Sequence, residues 1–433
     1  IHCNWEYNTD LFEEDRINRM TAHFDCLIES IVTDPQKQVS QLKILPEDEQ
    51  QELMKLNTDT NAHLHPPETV VDRWTELYTK HLSKTACISS EQSYTYEELN
   101  ERSDCLAAYL QHKGIQTEEI IAIAVSRNCE ILICILGVMK AGGVYLPIDP
   151  EYPPERLSYM LEDSGVKTLI TEDLFIPKLQ NEKIDHFISI DNDWKFISQF
   201  LDYKAVRLRP DSLAYVIYTS GTTGRPKAVM IEHKDLAEHI LSIIPIYNYT
   251  ERDTLLQFAS FSFDVSIEHI FTTLLSGGTL VIRGENDIDP ENLISLCEQH
   301  AVTSINLPPA LLENMFARYE DRMKQLRQLR LIVSGGDRFP TELLSKLNDP
   351  VYDRIQILNA YGPTETTITS TIYDMSEHRS EKSNLEPPIG KPVGARKAYI
   401  LDKFGNIQPT GIPGELCIGG NMLARGYLNQ PDL

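Results

Sequence analysis

The sequence predicts an α/β protein of layered, parallel-rich sheets covered by helices, with a small β-barrel-like subdomain after them. Three observations carry that reading. Between Glu68 and about Pro387, short apolar runs alternate with helical stretches, the pattern of parallel sheets crossed over by helices. After Pro387 the runs are separated by turn residues, which reads as antiparallel hairpins. The 433 residues, 41% of them apolar, exceed one typical domain and suffice for a large core.

Taken in order, Ile17, Met20, Phe24, Leu27, Ile28 and Ile31 repeat at helical spacing until Asp34-Pro35, where proline ends a helix. A second helix begins near Pro46, its first turn carrying Glu47, Asp48 and Glu49, acids that suit a helix N-terminus. Residues 57–61 and His65-Pro-Pro67 read as a linker. Ile120 to Val125 is strand-like, and Glu130 to Lys140 is a helix that meets Gly142-Gly143, a plausible cap. Further strands are expected at 169–170, 255–259, 279–282, 303–307, 329–333 and 355–359. Ala398 to Leu401, the Asp402 to Asn406 turn and Gly414 to Gly420 form the late hairpins. The expected division is 1–60 as a tail and linker, 61–386 as the α/β core, and 387–433 as the start of the hairpin subdomain.

The net charge of −24 argues against nucleic acid or an anionic membrane as partner. The eight cysteines include no CxxC pair, which reads as free thiols in a reducing compartment, the cytoplasm. No signal peptide and no apolar run of membrane-spanning length is seen. The sequence halts in mid-phrase at Asn429 to Leu433 and reads as excised from something longer.

Two motifs carry chemistry. In the first, the strand-like run Ala214 to Tyr218 leads into Thr219-Ser-Gly-Thr-Thr-Gly-Arg-Pro-Lys227. Gly221 and Gly224 can adopt angles closed to other residues, so successive amides can form an anion nest. Thr219, Ser220, Thr222 and Thr223 add hydroxyl donors, and Lys227 adds a positive charge. It is not a Walker A loop, because Lys227 follows Arg225-Pro226 and the chain then re-enters a strand. The bland alternative is a surface hairpin rich in turn formers.

The second motif, Asn359-Ala-Tyr-Gly-Pro-Thr-Glu-Thr-Thr367, follows a strand, where open α/β sheets place ligands. Gly362-Pro363 forces a turn from which Thr364 and Glu365 project. A carboxylate there can hold Mg²⁺, and Tyr361 offers a flat face for a base. The alternative is an ordinary turn before a helix.

Both strings resemble the adenylate-forming enzymes: acyl-CoA synthetases, luciferases and the adenylation domains of nonribosomal peptide synthetases. The resemblance extends over nearly all of residues 68–433. Tyr94 to Leu99, Lys140 to Asp149, Tyr152 to Arg156, Gly414 to Gly420 and Ala424 to Tyr427 resemble motifs of the peptide synthetase branch. Asn4 to Tyr7 and the helix after it resemble the tail of a condensation domain.

The resemblance implies that Thr219, Ser220, Gly221, Thr222, Thr223, Gly224 and Lys227 cover the β- and γ-phosphates of ATP. Thr364 would contact the α-phosphate and Glu365 would hold Mg²⁺. Tyr361 would lie against adenine, with Gly335-Gly336 on its other side and Asn359, Ala360 and Gly362 beside it. Asp264 would pair with the α-ammonium group of an amino acid substrate. Val265, Glu268, Asn306, Ile332, Ser334, Ala360, Ile368 and Thr369 would line its side-chain pocket. The product would pass to the phosphopantetheine thiol of a downstream carrier domain. The resemblance further implies that the ribose-binding aspartate and the C-terminal subdomain with its catalytic lysine lie beyond Leu433, and that the core alone adenylates slowly.

Asp264 separates this branch from ligases of amine-free acids, although an aspartate there can also cap a helix. Glu268 lies four residues later, on the same helical face. Two neighbouring acids repel and call for two positive partners. The expected substrate is therefore basic (ornithine, lysine or arginine), with tyrosine as the fallback. The competing readings are an acyl- or aryl-CoA ligase and a non-catalytic nucleotide-binding module.

Overall fold

The computed structural model describes residues 3–57, 68–220, 224–378 and 386–433, and the chain divides into two compact units. The linker expected at 57–67 lies outside the described residues except for Asn57. No described helix is long and apolar enough to cross a membrane.

The larger unit, residues 61–395 with 421–433, holds two sheets. The first has seven described strands, in the order Gly426–Tyr427, Lys227–Glu232, Leu213–Thr219, Val144–Pro147, Ile120–Ala124, Thr168–Thr171 and His186–Ser189. Its pairings are parallel from Leu213–Thr219 to His186–Ser189 and antiparallel at the other edge. The second has nine described strands, from Lys391–Pro392 through Thr371–Asp374, Gln356–Tyr361, Leu331–Gly335, Ser304–Asn306, Thr254–Gln257, Thr279–Ile282 and Thr85–Ile88 to Ser93–Thr95. It is parallel except at its two edges. The predicted α/β class therefore stands. The strand expected at 279–282 matches in full, and the others match within a few residues.

Local chemistry explains the early motifs. Thr95 and Glu98 form a capping box that starts the helix Tyr96–His112. The buried Tyr96 hydroxyl donates to the carbonyls of Leu274 and Gly278. The helix Glu130–Lys140 is buried along almost its whole length. Gly142, at φ +90°, turns the chain out of that helix, and the Gly143 amide donates back to Val138. Lys140 is buried beside Asp104, at 2.8 Å, with Asn100 and Ser103 as further acceptors. Burial draws its ammonium down to about 8, while Asp104 pulls the other way. These phrases therefore build the core.

The smaller unit contains residues 1–60 and 396–420. The two expected helices are Glu14–Thr33 and Glu47–Lys55. Ile17 is buried, whereas Met20, Phe24, Ile28 and Ile31 on the same stripe are exposed. The late hairpin is the two-stranded pair Arg396–Leu401 and Glu415–Gly420; among the described residues it closes no barrel. Glu49 joins this unit by accepting from His23 Nε2 at 2.5 Å and from the Thr410 amide at 2.9 Å.

Candidate active site

The described residues of the first motif lie at the end of a hairpin of the first sheet. Leu213–Thr219 pairs antiparallel with Lys227–Glu232, in a register that sets Thr219 opposite Lys227. The chain thus re-enters a strand after the loop, unlike a P-loop. Gly224 takes φ +84°, a left-handed angle natural to glycine. Gly221, Thr222 and Thr223 lie outside the described residues.

The second motif leaves the end of the strand Gln356–Tyr361. Gly362 has no room for a side chain: a Cβ there would lie 1.7 Å from the Ile368 carbonyl oxygen. Residues Thr364–Thr366 form one 3₁₀ turn after Pro363. Thr367 and Ile368 follow at φ 58° and 68°. Two β-branched residues in the left-handed region in succession are rare, and such strain clusters at functional sites. The Ser370 amide then closes the loop onto the Tyr361 carbonyl at 2.8 Å. Gly335 is also obligatory, since a Cβ would meet the Ala360 carbonyl oxygen at 2.3 Å. Gly336, at φ +82°, faces open space. Tyr361 is 40% exposed. Asn359 donates its amide to the Pro388 carbonyl at 2.8 Å, which gives that side chain a structural contact.

Lys227 and Glu365 meet through a residue to which the sequence reading gave no role. The Lys227 ammonium lies 5.1 Å from the centre of the Tyr427 ring. The Tyr427 hydroxyl donates to Glu365 Oε1 at 2.7 Å. Burial raises the Tyr427 phenol to about 12, and the Glu365 contact adds to the rise. Among the described residues, no group of three or more His, Cys, Asp or Glu side chains could hold a metal. A single carboxylate such as Glu365 still fits Mg²⁺, which commonly binds one or two carboxylates and completes its shell with phosphate oxygens and water.

Asp264 stands at the head of the helix Val265–Leu274. Its side chain makes no capping hydrogen bond, so the cap alternative drops out. It is buried, and its Oδ2 has no hydrogen-bond partner. Burial raises its carboxyl to about 6; Glu268 and Glu365 push the same way, and Thr364 and the Val265 amide pull it down. A buried carboxylate oxygen without a donor is costly, and a cation or strong donor placed there would relieve it.

Glu268 differs from its expected state. It is buried, and it accepts from His239 Nε2 at 2.9 Å and from the Tyr247 hydroxyl at 2.8 Å. Burial pushes its carboxyl up, but the His239, Tyr247 and Thr369 hydrogen bonds outweigh burial and hold it below the usual range. The premise that Glu268 depends on a ligand cation is thereby corrected, because the protein supplies its donors.

The pocket candidates divide. Val265, Ala360 and Ile368 pack with one core cluster, the one containing Val333 and Leu358. Ile332 belongs to another, with Leu256, Ile305 and Ile357, since alternate residues of a strand face opposite ways. Ser334 is fully buried, and its hydroxyl donates to the Leu307 carbonyl at 2.8 Å. Asn306 is half-buried at its strand end. Sequence reading missed His239 and Tyr247. They lie eight residues apart in the helix His233–Tyr247, and that spacing of polar groups in an apolar helix was the available signal.

Comparison with known proteins places the chain in a family. Residues 74–428 match the AMP-binding enzyme family, and residues 1–54 match the condensation domain family. The chain is 37% identical over 440 residues to bacitracin synthase 3 of Bacillus licheniformis, covering 100% of this chain but only 7% of that protein. The nonribosomal peptide synthetase FmoA3 aligns with a TM-score of 0.86 and 25% identity over 97% of this chain and 45% of that one. Its AMPPNP-bound form aligns with a TM-score of 0.84 and 25% identity over the same shares, 97% and 45%. The N-terminal subdomain of NpsA from Klebsiella oxytoca, in complex with 3-hydroxybenzoyl-AMSN, aligns with a TM-score of 0.75 and 26% identity over 86% of this chain and 91% of that one. The chain belongs to the AMP-binding enzymes, the adenylate-forming ligases, and is an adenylation domain of the nonribosomal peptide synthetase kind with a condensation-domain segment at residues 1–54.

Proposed function

We propose that this chain activates an amino acid with ATP. The carboxylate oxygen attacks the α-phosphorus, the bond from that phosphorus to the bridging oxygen of pyrophosphate breaks, and pyrophosphate leaves with the electron pair. No protein base is required, because the carboxylate is already ionised. The protein acts by positioning and by neutralising charge. Lys227 and the loop from Thr219 to Gly224 hold the β- and γ-phosphates. Thr364 contacts the α-phosphate, and Tyr361 with Gly335 and Gly336 borders the base. Mg²⁺, held at Glu365, would supply charge neutralisation on the phosphates.

One observation carries the choice of an amino acid: the buried, unpartnered Oδ2 of Asp264, which an α-ammonium group would satisfy. For the side chain, Glu268 supports a donor. His239 holds its Oε2 and Tyr247 its Oε1, and each carboxylate oxygen keeps further acceptor capacity. A basic side chain (ornithine, lysine or arginine) still fits this reading, and so does tyrosine, but neither is obligatory. In the full-length protein, the aminoacyl group would pass to the phosphopantetheine thiol of a carrier domain, with a condensation domain alongside, in the cytoplasm.

The test is ATP–pyrophosphate exchange by the full-length protein with the common amino acids, ornithine and a panel of amine-free carboxylic acids. Exchange with one or a few amino acids, lost in Asp264→Ala, supports the reading. Exchange driven by amine-free acids and indifferent to Asp264 refutes it.

A further inference from the structure

The segment Ala424 to Tyr427 fastens the two motifs together. The Ala424 amide donates to the Glu365 carbonyl at 2.8 Å. Gly426 and Tyr427 pair with Met230 and Val229 on the strand that begins at Lys227. The Arg425 amide donates to the Met230 carbonyl at 2.9 Å, and the Leu428 amide donates to Ala228 at 2.9 Å. The Arg425 guanidinium reaches Glu232 at 2.7 Å and Glu118 at 2.8 Å. The backbone is therefore pinned to the lysine strand on both sides of Tyr427.

From that pinned position the tyrosine makes two contacts of different kinds. Its ring lies 5.1 Å from the Lys227 ammonium, within the range of a cation–π attraction. Its hydroxyl holds Glu365 Oε1 at 2.7 Å. A phenylalanine would fill the same space and keep the lysine contact. The hydroxyl serves only the carboxylate.

We infer that Tyr427 is a positioning residue: its hydroxyl orients the Glu365 carboxylate for Mg²⁺ and its ring seats Lys227, so that one side chain sets the spacing between the two charges that hold the triphosphate. This deepens the proposed function and rests on its reading of Glu365 as the metal-side carboxylate. Carboxylates that bind metal are commonly held by such outer hydrogen bonds, whose loss costs about 10- to 100-fold in metal affinity or activity.

The experiment is calorimetric binding of ATP to the full-length protein, with Mg²⁺ titrated and with EDTA. Tyr427→Phe should raise the Mg²⁺ concentration for half-maximal enhancement of binding by about tenfold and leave ATP affinity in EDTA unchanged. Tyr427→Leu should show the same rise and also weaken binding in EDTA, because Lys227 loses its seat. An unchanged or lowered Mg²⁺ requirement in Tyr427→Phe overturns the inference. Glu365→Gln separates the two claims. If Glu365→Gln abolishes the Mg²⁺ effect while Tyr427→Phe leaves it intact, only the role of Tyr427 fails. If Glu365→Gln also leaves it intact, the metal reading of Glu365 fails with it.

Discussion

Glu268 accepts a hydrogen bond from His239 Nε2 at 2.9 Å, with side-chain exposures of 1% and 0%. Breaking a buried pair by deleting one member typically costs about 3–5 kcal/mol. We therefore expect His239→Ala to lower unfolding free energy by roughly that amount in urea denaturation, and His239→Gln, which keeps an N–H donor, to lose less. The pH dependence has a definite sign. The folded-state carboxyl lies below its ordinary 4.5, so the stabilisation is complete above that value and lost as the pH falls through the lower folded one.

Asp264 should behave in the opposite sense. Its folded-state carboxyl is raised from 3.8 to about 6, so folding takes up protons in that window and stability falls as the pH rises through it. A shift of this size corresponds to about 3 kcal/mol. Asp264→Asn should be more stable than the parent at pH 8 by up to roughly that amount and gain little at pH 4, as read by denaturant midpoints. It should also lose amino acid binding, a trade of stability against function.

The turn at Gly362 gives a sharper steric prediction. A methyl group there would meet the Ile368 carbonyl oxygen at 1.7 Å, so the loop carrying Thr364 and Glu365 must move. Gly362→Ala should destabilise by about 1–3 kcal/mol and reduce pyrophosphate exchange at saturating substrate. Thermal melting and exchange kinetics on the same preparation check both effects.

The α/β architecture was legible because runs such as Thr279–Ile282 are apolar and bounded, and because Gly142 marks a helix end. Thr85–Ile88 and Val144–Pro147 were not read as strands. Thr85–Ile88 carries only two strongly apolar residues, Cys87 and Ile88, and Val144–Pro147 ends in proline, a residue that argues against a central strand. The candidate residues Lys227, Asp264 and Glu365 could be singled out because each stands in a local motif. Their partners could not, because those contacts form only in the folded chain: Tyr427 lies 62 residues from Glu365, and His239 lies 29 from Glu268. Reading Glu268 without His239 is what made a cationic ligand look necessary. Ile332 shows a different limit, since the face a strand residue takes depends on register.

Lys227 should matter to the chemistry more than to the fold. Its ammonium rests on the Tyr427 ring and lies at the hairpin's end. Lys227→Ala should leave the melting temperature nearly unchanged and lower exchange by roughly 10²–10³-fold, the usual cost of removing one charge-stabilising donor.

The most direct measurement is a crystal structure of the chain with a non-hydrolysable aminoacyl-adenylate analogue of the amino acid it activates best. The account predicts the analogue's α-ammonium within about 3 Å of Asp264 Oδ2, with its phosphate-mimicking group beside Thr364. An ammonium bound elsewhere, with Asp264 Oδ2 still unpartnered, would contradict it.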